Sequence, residues 1–226
     1  MSVLARLQGP VPGKPVMSMR RAWRTSVSVP LSFEPRHGLQ ATRALTKAFM
    51  KPDKQTLHFS GRIIRVTTDE VVLPNGHRAT LEVVHHPGGA AAVAIDAQDR
   101  VCLLRQYRYV AEGWIWELPA GKLEPNEPPL VTAQRELVEE AGVRAQHWQS
   151  LDSYFSSPGI FTEVLHLFLA TGIEPAVAAL EQAEVLEVHW MPFAQAYEWA
   201  VSGKIPDAKT AIGLVRAHYV RSTQAH

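Results

Sequence analysis

Three glutamates crowd into one short stretch of the sequence, and they are the residues best suited to carry out chemistry. Glu136, Glu139 and Glu140 fall within about one turn if the segment RELVEEAG, residues 135–142, is helical. Like charges three or four residues apart on a helix repel one another by roughly 0.2–0.5 kcal/mol per pair. A magnesium ion would relieve that repulsion, because Mg²⁺ prefers carboxylate oxygens and completes its coordination shell with water and substrate phosphates. The alternative is a solvated helix face that binds nothing.

The helix that positions these glutamates has clear boundaries in the sequence. Pro128 and Pro129 suit a first helical turn, and Gly142 suits the residue just past a helix end. At about 100° per residue, the apolar residues between them fall on one arc and the three glutamates on another. The apolar arc contains Leu130, Val131, Ala133, Leu137, Val138 and Ala141. We therefore expect the apolar arc to pack against the protein and the acids to face outward together.

A loop marked by Pro and Gly, LPAGKLEPNE, precedes this helix and would bring backbone carbonyls close to the helix start. Loop and helix together, from Gly121 to Val143, satisfy every position of the pattern GX5EX7REUXEEXGU, in which U is an apolar residue. This pattern is the Nudix box, so the chain resembles the Nudix hydrolases. That resemblance implies cleavage of a nucleoside diphosphate linked to another group, with Mg²⁺ or Mn²⁺ as cofactor.

The resemblance also implies roles for individual residues of the box. Glu136, Glu139 and Glu140 match the metal-binding glutamates, and Glu140 is also a catalytic candidate. The carbonyl of Ala120 matches a backbone ligand of the metal in related enzymes.

Four other box residues match structural positions of the family. Glu127 and Arg135 match an ion pair that braces the loop and helix, with direct contact to substrate as the alternative. Gly121 and Gly142 match the glycines that begin and end the unit.

The segments that flank the box narrow the substrate class. The runs LLRQYRY, WELPAGK and SSPGIFTE, with Pro158 beyond the box, are similar to those of the ADP-ribose pyrophosphatases. The likeness covers residues 55 to 219. Hydrolases of GDP-mannose share much of the pattern and are the first alternative. A sensor that binds ADP-ribose without cleaving it is the second, although the complete box and the absence of a helix-turn-helix pattern after Tyr219 argue against it.

Several residues in the flanking segments are candidates for substrate binding. Arg105 follows a buried strand, where a guanidinium could grip phosphate oxygens bidentately, and Arg108 is a second such cation. Glu117 could bind a ribose hydroxyl or brace the loop. Gly159 shapes a turn near the expected substrate, and Glu163 is a polar residue in the same region. Surface or structural roles remain open for each of them.

Aromatic residues beside these cations could contact the base. Tyr107, Trp114 and Trp116 could stack on adenine, although Trp114 and Trp116 alternate on one strand face and could instead pack in the core or in a dimer.

Hydrolysis also needs a group that accepts a proton from water. In the resembling enzymes this base lies in an acidic loop before a late strand, and here that loop reads LEQAEVLEVHW. Glu184 matches best by its distance from the strand, and Glu181 comes next. Gln182 and Ala183 stand where relatives commonly have acids, which leaves two ordinary loop acids as the alternative.

The composition of the whole chain limits the classes of partner. Hydrophobic residues make up 46% of the 226 residues, and the formal net charge of +1 gives no overall argument for nucleic acid or membrane. No apolar run reaches the length of about 18 residues that a spanning helix needs. The single cysteine, Cys102, lies in an apolar run and fits a buried core residue in a reducing compartment, which predicts a cytoplasmic location.

The amino-acid composition of the chain changes near residue 50. Residues 1–49 are rich in Arg, Ser and Pro and poor in acids, which fits a flexible basic extension, a translation start at Met50, or an organelle targeting peptide. Residues 50–226 are predicted to form the Nudix domain, with a strand-rich dimerisation part at 55–88 and a catalytic core at 89–219.

Alternating strand and helix patterns predict the fold of that domain. Pro74-Asn75-Gly76 and the segment 96–100 read as turns between strands, and 164–170 and 185–191 read as further strands. Later helices are predicted near Phe193 to Ser202 and Ala208 to Tyr219. The prediction is an α/β fold, a Nudix-type α/β/α sandwich with a mixed sheet and a small strand-rich N-terminal part, which by analogy forms a homodimer.

Overall fold

Ten strands and three α-helices form the part of the chain, residues 51–179 and 185–224, that this computed structural model describes. The predictions for residues 1–49, and for Glu181 and Glu184, lie outside the described residues. The first five strands are β1 (Lys54–Ser60), β2 (Arg65–Val72), β3 (Arg78–His85), β4 (Gly89–Ala94) and β5 (Arg100–Arg108). The other five are β6 (Gly113–Glu117), β7 (Ala120–Lys122), β8 (Val143–Phe155), β9 (Val164–Pro175) and β10 (Leu186–Pro192). The helices are α1 (Pro129–Ala141), α2 (Phe193–Val201) and α3 (Ala208–Gln224).

Strand β4 is the centre of a mixed sheet with the order β7-β4-β9-β8. It runs parallel to β9 and antiparallel to β7, while β8 and β9 are antiparallel. A second sheet has the order β10-β5-β6, and a third consists of β1, β2 and β3. The mixed sheet is therefore as predicted.

The sequence GAAAVA of β4 is buried along its whole length, and its alternating residues face two different cores. Ala91 and Val93 pack in one cluster with Leu214 of α3. Ala92 and Ala94 pack in the other with Leu137 of α1. Small side chains on β4 let helices approach both faces of the sheet, which confirms the α/β/α sandwich.

Helix α1 has the predicted bounds, but the burial of its faces differs from the prediction. Leu137 is fully buried, whereas Leu130 and Val131 are exposed. Glu136 and Glu140, which we expected to face outward, are only 7% and 3% exposed. The expectation was wrong because the helix packs its glutamate side against the loop that precedes it, so that the acids line a cleft instead of bulk solvent.

The two later helices also form, and α3 runs five residues beyond the predicted end. At the start of α3, Oδ2 of Asp207 accepts a hydrogen bond of 3.0 Å from the backbone N–H of Thr210. This is the geometry of an N-cap. No helix among the described residues is long and apolar enough to cross a membrane.

Candidate active site

A cleft of about 580 Å³ brings the glutamate face of α1 together with the ends of several other elements. Its lining residues come from α1 and β7, from β5 and from the first turn of α3. Arg62 and Ile63, in the connection between β1 and β2, lie at the edge of the cleft. The candidate metal ligands and one of the two candidate phosphate ligands, Arg108, therefore line one cavity.

Two of the box glutamates are held against the strand β7. The backbone N–H of Ala120 donates a hydrogen bond of 2.8 Å to Oε2 of Glu140. A Cβ placed on Gly121 would lie 1.8 Å from Oε1 of Glu136, so only glycine leaves room for that carboxylate. The loop before α1 thus accommodates both buried acids: the N–H of Ala120 binds Glu140, and the absence of a side chain on Gly121 leaves room for Glu136.

Arg135 binds three carboxylates of the same wall. Its Nε and Nη2 each lie 3.1 Å from an oxygen of Glu127. Its Nη1 donates to Oε1 of Glu136 at 2.7 Å and to Oε2 of Glu139 at 3.0 Å. The hydrogen bonds from Arg135 hold the pKa of Glu127 at about 2, and those to Glu127 raise the pKa of Arg135. This arginine braces the loop to the helix, which is the role the box resemblance implies.

The donor set of this wall suits a hard divalent cation. Four carboxylates lie here, and Arg135 is hydrogen-bonded to three of them, which leaves a surplus of negative charge. Oxygen donors of this kind are the ligands of Mg²⁺ in proteins. Within the described ranges, no three His, Cys, Asp or Glu side chains are grouped as a metal site, and Arg135 hydrogen-bonds Glu136 and Glu139. The chemistry of the residues fits the metal, since all of these side chains offer carboxylate oxygens.

The β5 and α3 part of the cleft carries two cations that are paired with one buried acid. Nε and Nη2 of Arg108 donate to the two oxygens of Glu117, at 2.6 and 2.9 Å. Lys209 of α3 donates to Glu117 as well. Burial would raise the pKa of Glu117, but the hydrogen bond from Arg108 and the charge of Lys209 outweigh it, and the pKa is lowered. Glu117 therefore stays ionised and holds both cations at the cleft.

A further acid of the cleft, Glu163, lies beside a histidine. Oε1 of Glu163 is 3.2 Å from Nδ1 of His86, and both side chains are largely buried. The ring of His86 is stacked on Phe161 at a centroid distance of 6.4 Å. Glu163 therefore lines the cleft, and its role in substrate binding stays a prediction.

Other candidates lie away from the cleft within the single chain. Arg105 points to the opposite face of β5 from Arg108, where it lies 3.6 Å from Glu187 and 5.4 Å from the ring of Trp114. Gly159 is not among the residues that line the cavity. A role in substrate binding for either residue stays a prediction.

Sequence reasoning missed Lys209 and His86. A signal for Lys209 existed, because a lysine in the first turn of a helix opposes the helix dipole and needs an acidic partner. His86 gave no such signal, since its acid is far along the chain.

Comparisons with known proteins show the family to which the chain belongs. The model of the NUDIX domain matches residues 85–210, and the chain belongs to the Nudix family of hydrolases. It is 38% identical over 158 residues to a methanol dehydrogenase activator of Bacillus methanolicus, covering 69% of this chain and 85% of that protein. It is 35% identical over 169 residues to an ADP-ribose pyrophosphatase of Bacillus subtilis, covering 74% and 91%. A GDP-mannose pyrophosphatase of Cronobacter sakazakii is 32% identical over 163 residues, covering 66% and 84%.

The fold also has a solved counterpart. A crystal structure described as an ADP compounds hydrolase superposes with a TM-score of 0.66, covering 79% of this chain and 98% of that one. The sequence identity is 21%, so this likeness concerns the fold.

Proposed function

We propose that this protein hydrolyses the diphosphate of ADP-ribose to AMP and ribose 5-phosphate, with Mg²⁺ held by Glu136, Glu139 and Glu140 and by the carbonyl of Ala120. The observation that carries the proposal is the burial of Glu136 and Glu140 in a cleft that Arg108 also lines. Both carboxylates have partners within the chain, but the glutamates here outnumber the single Arg135, and a divalent cation would balance the remaining negative charge. Mn²⁺ has the same preference for oxygen ligands and is an expected substitute.

Each wall of the cleft has its own task in this reaction. The bound metal would supply positive charge to the diphosphate and would ease deprotonation of water. Arg108, which lines the same cleft, would hold phosphate oxygens. The proton of the attacking water needs an acceptor, for which we retain Glu184 first and Glu181 next, with Glu140 as a candidate on α1.

The choice of ADP-ribose is supported by the relatives. The ADP-ribose pyrophosphatase of Bacillus subtilis covers more of this chain than the GDP-mannose pyrophosphatase does, and at higher identity. GDP-mannose is the alternative substrate, because its hydrolases also align along most of their length.

Exposed apolar residues support the proposed homodimer. Leu57 and Phe59 of β1 are more than half exposed, and Leu81 of β3 is 44% exposed. Such side chains on one small sheet are typical of a surface that another protein covers. The buried, unpaired Cys102 supports a cytoplasmic location, because reducing compartments keep thiols free.

Turnover of a substrate panel tests the proposed function. Purified protein is incubated with Mg²⁺ and ADP-ribose, GDP-mannose or another nucleoside diphosphate sugar, and the products are separated by chromatography. We expect AMP and ribose 5-phosphate, with the highest kcat/KM for ADP-ribose. A higher kcat/KM for GDP-mannose would support the alternative, and the absence of products from every substrate would overturn the proposal.

A further inference from the structure

The lysine in the first turn of α3 is held in an unusual position. Lys209 lies two residues after the N-cap Asp207, where the helix dipole disfavours a cation, and its side chain is only 14% exposed. Nζ donates a hydrogen bond of 3.0 Å to Oδ2 of Asp207 and a second bond to Oε2 of Glu117. Two acids therefore hold the ammonium group at the wall of the cleft.

The start of α3 is fixed to the loop that leads into the Nudix box. Oγ1 of Thr210 donates to Asp207 at 2.5 Å and accepts a hydrogen bond of 2.8 Å from the backbone N–H of Leu118. Leu118 directly follows Glu117 in the chain. Lys209 and Glu117 are thus anchored to the same piece of backbone, which limits how far they can move apart.

Arg108 is the most exposed member of this network in the cleft. Its guanidinium uses Nε and Nη2 to hold Glu117, and its side chain is 42% exposed in the cleft. Glu117 is buried, so its charge is shared between Arg108 and Lys209. Without the charge of Lys209, the whole charge of Glu117 would be balanced by Arg108. The charge of Asp207 would then also be uncompensated, so this part of the cleft would be less attractive to the phosphates of the substrate.

We propose that Lys209 is a positioning residue that sets the orientation and the effective charge of Arg108 through Glu117. The inference rests on the proposed function, because it assigns the Arg108 wall to the diphosphate of the substrate. A buried charge pair that loses one partner leaves the other uncompensated. Loss of Lys209 should therefore weaken substrate binding through Arg108, without changing the chemistry at the glutamate wall.

Steady-state kinetics of Lys209→Met test this role. We expect KM to rise about tenfold while kcat changes less than about threefold, since the loss is in binding common to ground state and transition state. Lys209→Arg, which keeps the charge, should restore most of the affinity. Lys204→Met is the matched control, because Lys204 lies five residues away over the ring of Trp199 and outside the cleft. If the methionine variant does not fold, Lys209→Gln gives the same readout.

A double-mutant cycle separates an indirect role from direct contact. In an Arg108→Met background, Lys209→Met should change KM by less than about twofold, because residues that act through one another are not additive. Either of two results would overturn the inference: a KM of the double variant that rises by the product of the two single-variant factors, or an unchanged KM in Lys209→Met. Thermal unfolding of every variant identifies effects on stability alone. Failure of the wild-type protein to cleave ADP-ribose would instead refute the proposed function, and the cycle would then use whichever nucleoside diphosphate is cleaved.

Discussion

Gly121 and Glu136 are in such close contact that a Cβ on residue 121 would lie 1.8 Å from Oε1 and 2.1 Å from Cδ of the glutamate. The backbone of Gly121 does not have a positive φ, so torsional freedom does not explain the glycine. The glycine is instead required because the carboxylate of Glu136 lies so close to its backbone. The first residue of the Nudix box is needed to leave space for one of the acids near its end.

Substitution of Gly121 by Ala should displace the carboxylate of Glu136 and lower kcat/KM by about 100-fold, because a shift of about 1 Å at a catalytic group can cost that much. The measurement is steady-state kinetics, together with a thermal unfolding curve. Gly113→Ala is the control, since a Cβ there meets only one atom within 4 Å, at 3.9 Å. Unaltered activity of Gly121→Ala would contradict the role assigned to this contact.

Glu136→Gln and Glu140→Gln should each weaken binding of Mg²⁺ and Mn²⁺, because a neutral amide is a poor ligand for a hard cation. We expect affinity to fall by more than about 100-fold, since loss of outer-shell partners alone costs 10–100-fold. Titration calorimetry with the metal measures this directly and does not depend on turnover. Glu198→Gln, on the exposed face of α2, should bind metal as the wild type does. Equal affinity in all four proteins would rule out the glutamate site.

Acid should remove the stabilising contribution of Glu127. The pKa of this carboxyl is lowered from 4.5 to about 2 by Arg135, so its contribution is complete above pH 4.5 and is lost as the pH falls toward 2. In denaturant titrations, the gap in unfolding free energy between wild type and Glu127→Gln should be widest near neutral pH and should narrow below about pH 4.5. A gap that stays constant across this range would mean that the ion pair contributes nothing to stability.

Cys102 should resist thiol reagents in the folded protein. Burial, with a smaller contribution from the charge of Glu140, raises the pKa of its thiol to about 12. At pH 8 roughly one molecule in 10⁴ would carry the reactive thiolate, and the side chain is inaccessible as well. Labelling with a maleimide should therefore be negligible in native protein and stoichiometric in denaturant. Rapid labelling of the native state would show that this part of the core opens.

The local sequence pattern predicted the ends of α1 correctly, but it did not predict which of its side chains are buried. Pro129 and Gly142 mark its ends through their own backbone preferences, which need no tertiary information. The pattern put Leu130 and Val131 inside and Glu136 outside, which was wrong. Periodicity treats a helix as having one buried face, whereas the glutamate side of this helix also packs against the loop that carries Gly121 and is bound by the helix's own Arg135.

The choice between the two arginines of β5 could not be made from sequence either. Arg105 and Arg108 are three residues apart, and side chains in a strand alternate between its faces. They therefore point to opposite sides, and only the packing of the sheet decides which side borders the cleft. Strand β8 was not predicted, because polar residues interrupt the alternation along its 13 residues.

The sequence by itself determined the Nudix family, the helix that carries the carboxylates and the buried strand β4, since each depends on residue types at fixed local spacing. The tertiary structure decided that Glu136 and Glu140 are buried, and that Lys209 reaches Glu117, which lies 92 residues earlier in the chain. Contacts between residues so far apart depend on the register of β5 with β6 and on where α3 begins. That geometry results from the packing of several elements together, and no single segment of the chain encodes it.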